Sequence, residues 1–166
     1  MGKEAVGAGR RVADRLTEAA ARIDAAYAAY AAKEGLTFNG LMLMCILAQG
    51  GYVTQRDICE QLMLSKSTVR SMLLPFMRSG EVELLPGANR KEKAVALTDA
   101  GRSRYLPMVK ALAAVEDDAV REFGSKRAEA LADAYEELAG IASSRAAALA
   151  LGADVARVTR RGDDDA

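Results

Sequence analysis

The sequence predicts a mainly α-helical fold with a small β-hairpin wing, a winged helix-turn-helix flanked by longer N- and C-terminal helices. Three observations predict it. Two short helical segments with polar starts follow one another between Thr54 and Gly80. Two strand-like segments then flank a Pro86-Gly87-Ala88-Asn89 turn. Long alanine-rich stretches without internal breaks lie on either side of this block.

From Arg10 to Lys33 the chain is rich in alanine and lacks proline and interior glycine, a strong helix composition. Leu16, Ile23, Tyr27 and Tyr30 fall on one narrow stripe flanked by alanines, which suits close helix–helix packing. Gly35 ends this helix. Thr37 caps the next, which runs to about Gln49 and stops at Gly50-Gly51. Its interior, Leu41 to Leu47, is apolar nearly all round, the pattern of a central buried helix. Tyr52-Val53 is an extended stub, and Thr54 caps a short helix to about Met63. The fourth helix opens at Ser65-Lys66-Ser67-Thr68. Val69, Met72, Leu73, Phe76 and Met77 form its buried face, leaving Lys66, Ser67, Arg70, Ser71 and Leu74 on the others. Gly80 closes it.

The hairpin consists of Glu81–Leu85 and Lys93–Leu97, with a basic tip at Arg90-Lys91. Thr98 caps a long helix whose apolar ladder is Leu106, Val109, Leu112, Val120 and Phe123. Gly124-Ser125 breaks it. A last helix from about Lys126 carries Leu131, Tyr135, Leu138 and Ile141 on one side and continues to Leu151. Pro75 predicts a kink in the fourth helix, and Pro107 a bend or break in the long one. Residues 160–166, with Asp163-Asp164-Asp165, are expected to be a disordered acidic tail.

Composition narrows the chemistry. The chain has 166 residues, one domain's worth, with 51% hydrophobic and 28% charged residues. No apolar run reaches the length of a membrane span and the start lacks a signal peptide's core, so a cytoplasmic location is expected. There is no histidine, which removes Ser-His-Asp and Cys-His catalysis and imidazole metal ligands. Cys45 and Cys59 fit neither a disulfide framework nor a zinc motif. With no phosphate-binding glycine fingerprint either, no enzyme activity, cofactor or metal is expected.

Net charge is zero, but its distribution is uneven. Residues 66–97 carry six basic and three acidic side chains, while residues 98–166 carry ten basic and thirteen acidic ones. A winged helix-turn-helix gathers most of the central cations on one side. The second helix of the pair offers its N-terminal half to a major groove, where small hydroxyls and arginine reach base edges. Helix N-termini attract phosphate, which makes Thr54 and Ser65 backbone anchors. A hairpin tip bearing Arg90 suits the electronegative minor groove.

Residues 36–104 resemble the MarR family of bacterial winged-helix transcription regulators. The resemblance is carried by Leu36-Thr37, by Val53-Thr54-Gln55-Arg56-Asp57-Ile58 and by Leu64-Ser65-Lys66-Ser67-Thr68-Val69. It continues through Gly80-Glu81-Val82-Glu83 and Val95-Ala96-Leu97-Thr98-Asp99-Ala100-Gly101-Arg102. It implies a homodimer on a pseudo-palindromic operator, with 10–34 and 98–151 as the dimerisation region and 36–97 as the DNA-binding region. Half-sites would lie about one DNA turn apart. It further implies double-stranded DNA as partner, with a repressor's action. The DNA-binding residues expected are Thr54, Ser65, Lys66, Ser67, Thr68, Arg70, Ser71, Asn89, Arg90 and Lys91.

The family's wing carries Asp-Arg-Arg where this chain has Asn89-Arg90-Lys91. Asparagine can hydrogen-bond the arginine but cannot pair with its charge. Many relatives bind small aromatic or anionic compounds, for which Tyr30, Met44 and Cys45 are the pocket candidates here. Cys45, in the buried helix with no cationic neighbour in sequence, also reads as an inert core thiol. The zero net charge, the altered wing and Pro75 leave a second reading open, a winged-helix protein-binding adaptor with little or no DNA binding.

Overall fold

A computed structural model of the chain describes residues 8–50, 53–86 and 93–150. It contains six helices and three strands among those residues: α1 (Ala8–Lys33), α2 (Phe38–Ala48), β1 (Val53–Thr54), α3 (Gln55–Leu62), α4 (Lys66–Arg78), β2 (Val82–Pro86), β3 (Lys93–Leu97), α5 (Asp99–Phe123) and α6 (Ser125–Ala150). The expected mainly α fold with a hairpin wing is the fold observed. The turn at 87–92, the wing-tip residues Asn89, Arg90 and Lys91, and the acidic tail lie outside the described residues.

The chain divides into two compact units, Met1–Leu112 and Ala113–Ala166. In the first, α2 is the central element. Leu41, Leu43, Met44, Ile46 and Leu47 are all buried, because a helix apolar on every side must be enclosed on every side. Around it gather Ile58 of α3, Val69 and Leu73 of α4, Val82, Val95 and Leu97 of the sheet, and Tyr105, Met108 and Leu112 of α5. The α1 stripe is split. Tyr27, Tyr30 and Ala31 join this core, while Ile23 and Val12 nearer the start are exposed.

The sheet is antiparallel in the order β1-β3-β2. The two-residue stub is thus a true edge strand, paired Val53 to Val95 and Thr54 to Ala94. The wing register runs from Val82 opposite Leu97 to Pro86 opposite Lys93. Pro86 sits at the end of the ladder, where its missing N–H costs least.

On α5 the buried face is Gly101, Tyr105, Met108 and Leu112. Of the expected ladder only Leu112 is fully buried. Leu106 and Val109 are half-buried, and Val120 and Phe123 are exposed. The inward side chains recur at offsets 0, 4, 7 and 11 from Gly101, a regular helical seam that begins on a glycine and a tyrosine rather than on aliphatic residues. Both α4 and α5 continue through their prolines, so Pro107 causes no break.

The second unit holds the end of α5 and all of α6, joined at Gly124, whose φ of 99° is the left-handed conformation that suits glycine. No α6 residue is buried, and Leu131, Tyr135, Leu138 and Ile141 are exposed along one side of it. No single helix among the described residues is long and apolar enough to cross a membrane.

Candidate nucleic-acid interface

The helix pair is held by three local devices. At the start of α3, the Thr54 hydroxyl accepts from the Asp57 N–H (3.1 Å), while the Asp57 carboxylate accepts from the Thr54 N–H and hydroxyl (both 2.8 Å). This is a reciprocal capping box. The Thr54 N–H and hydroxyl hydrogen bonds hold the Asp57 carboxyl below its ordinary range.

At the other end of α3, Met63 takes φ 53°, and its N–H reaches back to the carbonyls of Cys59 and Glu60. A left-handed turn here redirects the chain within three residues so that α4 can begin. Then Ser65 caps α4. Its Oγ accepts from the Thr68 N–H (3.2 Å) and lies 2.9 Å from Ser67 Oγ and 2.7 Å from Thr68 Oγ1.

From that start, α4 buries Val69 and Leu73 and half-buries Met72, Phe76 and Met77. Ser65, Lys66, Ser67, Thr68, Arg70 and Ser71 are exposed. Neither Lys66 nor Arg70 forms an ion pair with a described acidic residue. The structure therefore brings together six of the residues singled out in the sequence, on the first two turns of one anchored helix.

Thr54 sits differently. It is only 7% exposed, and its polar groups are taken up by Asp57. The carboxylate already satisfies this helix start and places a negative charge where a phosphate would come. Thr54 in this structure is a helix cap. The cap is the one expected from the sequence, and the Thr-x-x-Asp spacing adds Asp57 as its reciprocal partner.

A second polar node ties α4 to the wing and to α5. Glu81, 8% exposed, is the residue through which all three meet. Its carboxylate accepts from Ser79 Oγ (2.7 Å), from the Tyr105 hydroxyl (2.9 Å) and from the Arg104 guanidinium. Its N–H donates to the Phe76 carbonyl (2.9 Å), and its carbonyl accepts from the Thr98 N–H (3.1 Å). The Thr98 hydroxyl donates to the Gly80 carbonyl (2.7 Å) and accepts from the Gly101 N–H (3.1 Å).

Burial alone would push the Glu81 carboxyl up, but the hydrogen bonds from Ser79, Tyr105 and Arg104 outweigh it and hold the group below its ordinary range. The same burial, with the adjacent carboxylate, pushes the Tyr105 phenol up to about 12. Phe76 packs edge-on to Tyr105 at 6.1 Å. Sequence reading passed over this node, because Arg104 and Tyr105 lie more than twenty positions from Glu81 and follow no local period with it.

The pocket candidates are packed within the first unit. Met44 is fully buried. The Tyr30 hydroxyl donates to the Met108 carbonyl (3.1 Å), and burial, with Glu34 and Cys45 nearby, pushes the phenol up. Cys45 and Cys59 are both half-buried, and neither is in a disulfide. Among the described residues no group of three or more metal-ligating side chains comes together.

No protein-family model matches the chain, and no curated protein matches its sequence. Solved structures do. A MarR family regulator from Neisseria meningitidis superposes with a TM-score of 0.70 at 24% identity, over 79% of this chain and 93% of that one. A MarR/EmrR family transcriptional regulator from Acinetobacter sp. ADP1 gives 0.69 at 16% identity, over 84% and 99%. The structure of NadR in complex with 4-hydroxyphenylacetate gives 0.66 at 18% identity, over 84% and 96%.

Proposed function

We propose that this chain, which has the winged helix-turn-helix fold of MarR-family transcription regulators, is itself a sequence-specific DNA-binding regulator. It acts as a homodimer on a pseudo-palindromic operator and represses by occupying a promoter. The observation that carries the reading is the exposed start of α4. Lys66, Ser67, Thr68, Arg70 and Ser71 stand on a helix capped by Ser65 and anchored by buried Val69 and Leu73.

A rigid base with short hydroxyls and an arginine at its tip is what major-groove readout requires. Arg70 reads a base edge, Ser67 and Ser71 flank it, and Lys66 meets phosphate. Thr68 and Ser65 hold the helix start together, and Thr54 acts through the orientation of α3. Asn89, Arg90 and Lys91 complete the contact from the wing, with Arg90 in the minor groove.

Two further observations support the assembly. Val115 and Val120 of α5 and Leu131, Leu138 and Ile141 of α6, all within the second unit, are exposed and leave an apolar surface facing water, and Val12 and Ile23 of α1 in the first unit are exposed as well. Mating two copies through these helices removes it from water. NadR, which shares the fold, holds an aromatic carboxylate. The corresponding reading here is a small aromatic or anionic ligand that releases DNA, received near Tyr30, Met44 and Cys45. Such a ligand acts only by preferring the DNA-incompetent arrangement.

The test is a gel shift with the chain's own upstream DNA and a scrambled duplex of equal length, across a salt series. The expected result is selective retardation whose affinity falls steeply with salt. No retardation at 50 mM salt, or a salt-independent signal, would instead favour the protein-binding adaptor.

A further inference from the structure

We infer that Leu74 is a specificity-determining residue that reads the C5-methyl group of a thymine in each operator half-site. The inference rests on the DNA-binding reading above and adds a contact to it. Leu74 is 39% exposed in the middle of α4, which leaves part of a large apolar side chain available for a contact.

Its position says with what. At 100° per residue, Leu74 projects about 40° from Arg70 and about 20° from Ser67 around the helix axis. It lies four residues after Arg70, seven after Ser67 and three after Ser71, so it extends the same exposed line by one turn. The buried residues Val69 and Leu73 lie about 140° and about 100° around the helix from Leu74, so they face away from this line. A groove that receives Arg70 and Ser71 therefore receives Leu74 next.

Leucine offers neither donor nor acceptor, so of the groups on a major-groove floor it can match only the thymine methyl. One helical turn advances about 5.4 Å, and base pairs rise about 3.4 Å, which places this thymine one or two steps from the base that Arg70 reads. The helix continues through Pro75 to Arg78, and Leu74 precedes the proline, so the helical spacing from Ser67 to Leu74 is uninterrupted.

The experiment uses the full chain and a duplex selected by it from a random-sequence pool. Each thymine is replaced in turn by deoxyuridine, which removes the methyl and nothing else. One thymine per half-site is expected to show an affinity loss of about 3- to 5-fold on replacement, the value of one buried methyl. With Leu74→Ala the same replacement is expected to be silent, while uracil elsewhere behaves as with the parent chain. Selective binding with no uracil-sensitive thymine, or a penalty that persists unchanged in Leu74→Ala, would overturn the inference and leave the DNA-binding reading standing. Failure of the pool to yield any preferred duplex would overturn both.

Discussion

Replacing Gly101 by alanine tests the joint between wing and α5. A Cβ at this position would stand 2.0 Å from the Glu81 carbonyl oxygen, 3.0 Å from its carbon and 3.2 Å from Leu97 Cδ2. Carbon and oxygen approach comfortably only to about 3.3 Å, so α5 and the start of β2 must part by more than about 1 Å. The first obstacle is backbone, which cannot rotate aside as a side chain does. Overpacking of this kind costs about 1–3 kcal/mol. The separation also stretches the Thr98 N–H bond to the same oxygen, now 3.1 Å, worth about 1 kcal/mol. Alanine's better helix propensity returns about 1 kcal/mol.

The expected net effect of Gly101→Ala is a loss of about 1–3 kcal/mol, read by urea denaturation followed by circular dichroism at fixed protein concentration. Gly140→Ala in α6 is the internal control, since nothing lies within 4 Å of a Cβ there. It is expected to gain up to about 1 kcal/mol from propensity alone. A Gly101→Ala variant as stable as the parent would refute the close approach and, with it, the account of how the wing is fixed to α5.

Other outcomes follow from the same structure. Met63 is 88% exposed and holds φ 53°, so Met63→Gly is expected to raise stability by about 1 kcal/mol in the same assay, the strain of a left-handed non-glycine residue. Because the Tyr105 phenol is pushed up to about 12 from an ordinary 10.0, the folded state binds a proton more tightly than the unfolded one. Stability is therefore full below pH 10 and falls between about pH 10 and 12, and Tyr105→Phe removes that limb. Glu81 is held low, so its contribution is present above its unfolded value of 4.5 and is lost as pH falls through the folded one. Glu81→Gln is expected to flatten the acid limb of a pH–stability curve. Sedimentation at micromolar concentration is expected to give a dimer, and Leu138→Glu on the exposed α6 side to shift it toward single chains.

The parts of the fold legible in the sequence are those with a local cause. Thr37, Thr54, Ser65 and Thr98 stand where helices begin, and each accepts the backbone N–H three residues on. The α2 segment, apolar on all sides, could only be central. What the sequence concealed depends on contacts between distant residues. The buried side of α5 runs through Gly101 and Tyr105 because the first allows close approach to Glu81 and the second donates to it, and neither reason is visible in a hydrophobic period. Val120 and Phe123 continue an apolar ladder yet are exposed, since periodicity says which side chains seek cover but not whether the same chain supplies it. For the interface, the exposed line on α4 followed directly from its spacing. The commitment of Thr54 to Asp57 required reading two residues together rather than one.

The central claim is that the first turns of α4 read base sequence, and the most direct measurement is the ratio of affinities for a selected and a scrambled duplex. It is taken for the parent chain, for Arg70→Ala and for Lys66→Ala at one fixed salt concentration. Loss of Arg70 is expected to shrink the ratio by about 5- to 150-fold, the equivalent of about 1–3 kcal/mol of base discrimination. Loss of Lys66 is expected to weaken both duplexes alike and leave the ratio in place. An unchanged ratio in Arg70→Ala, with binding otherwise intact, would contradict the claim.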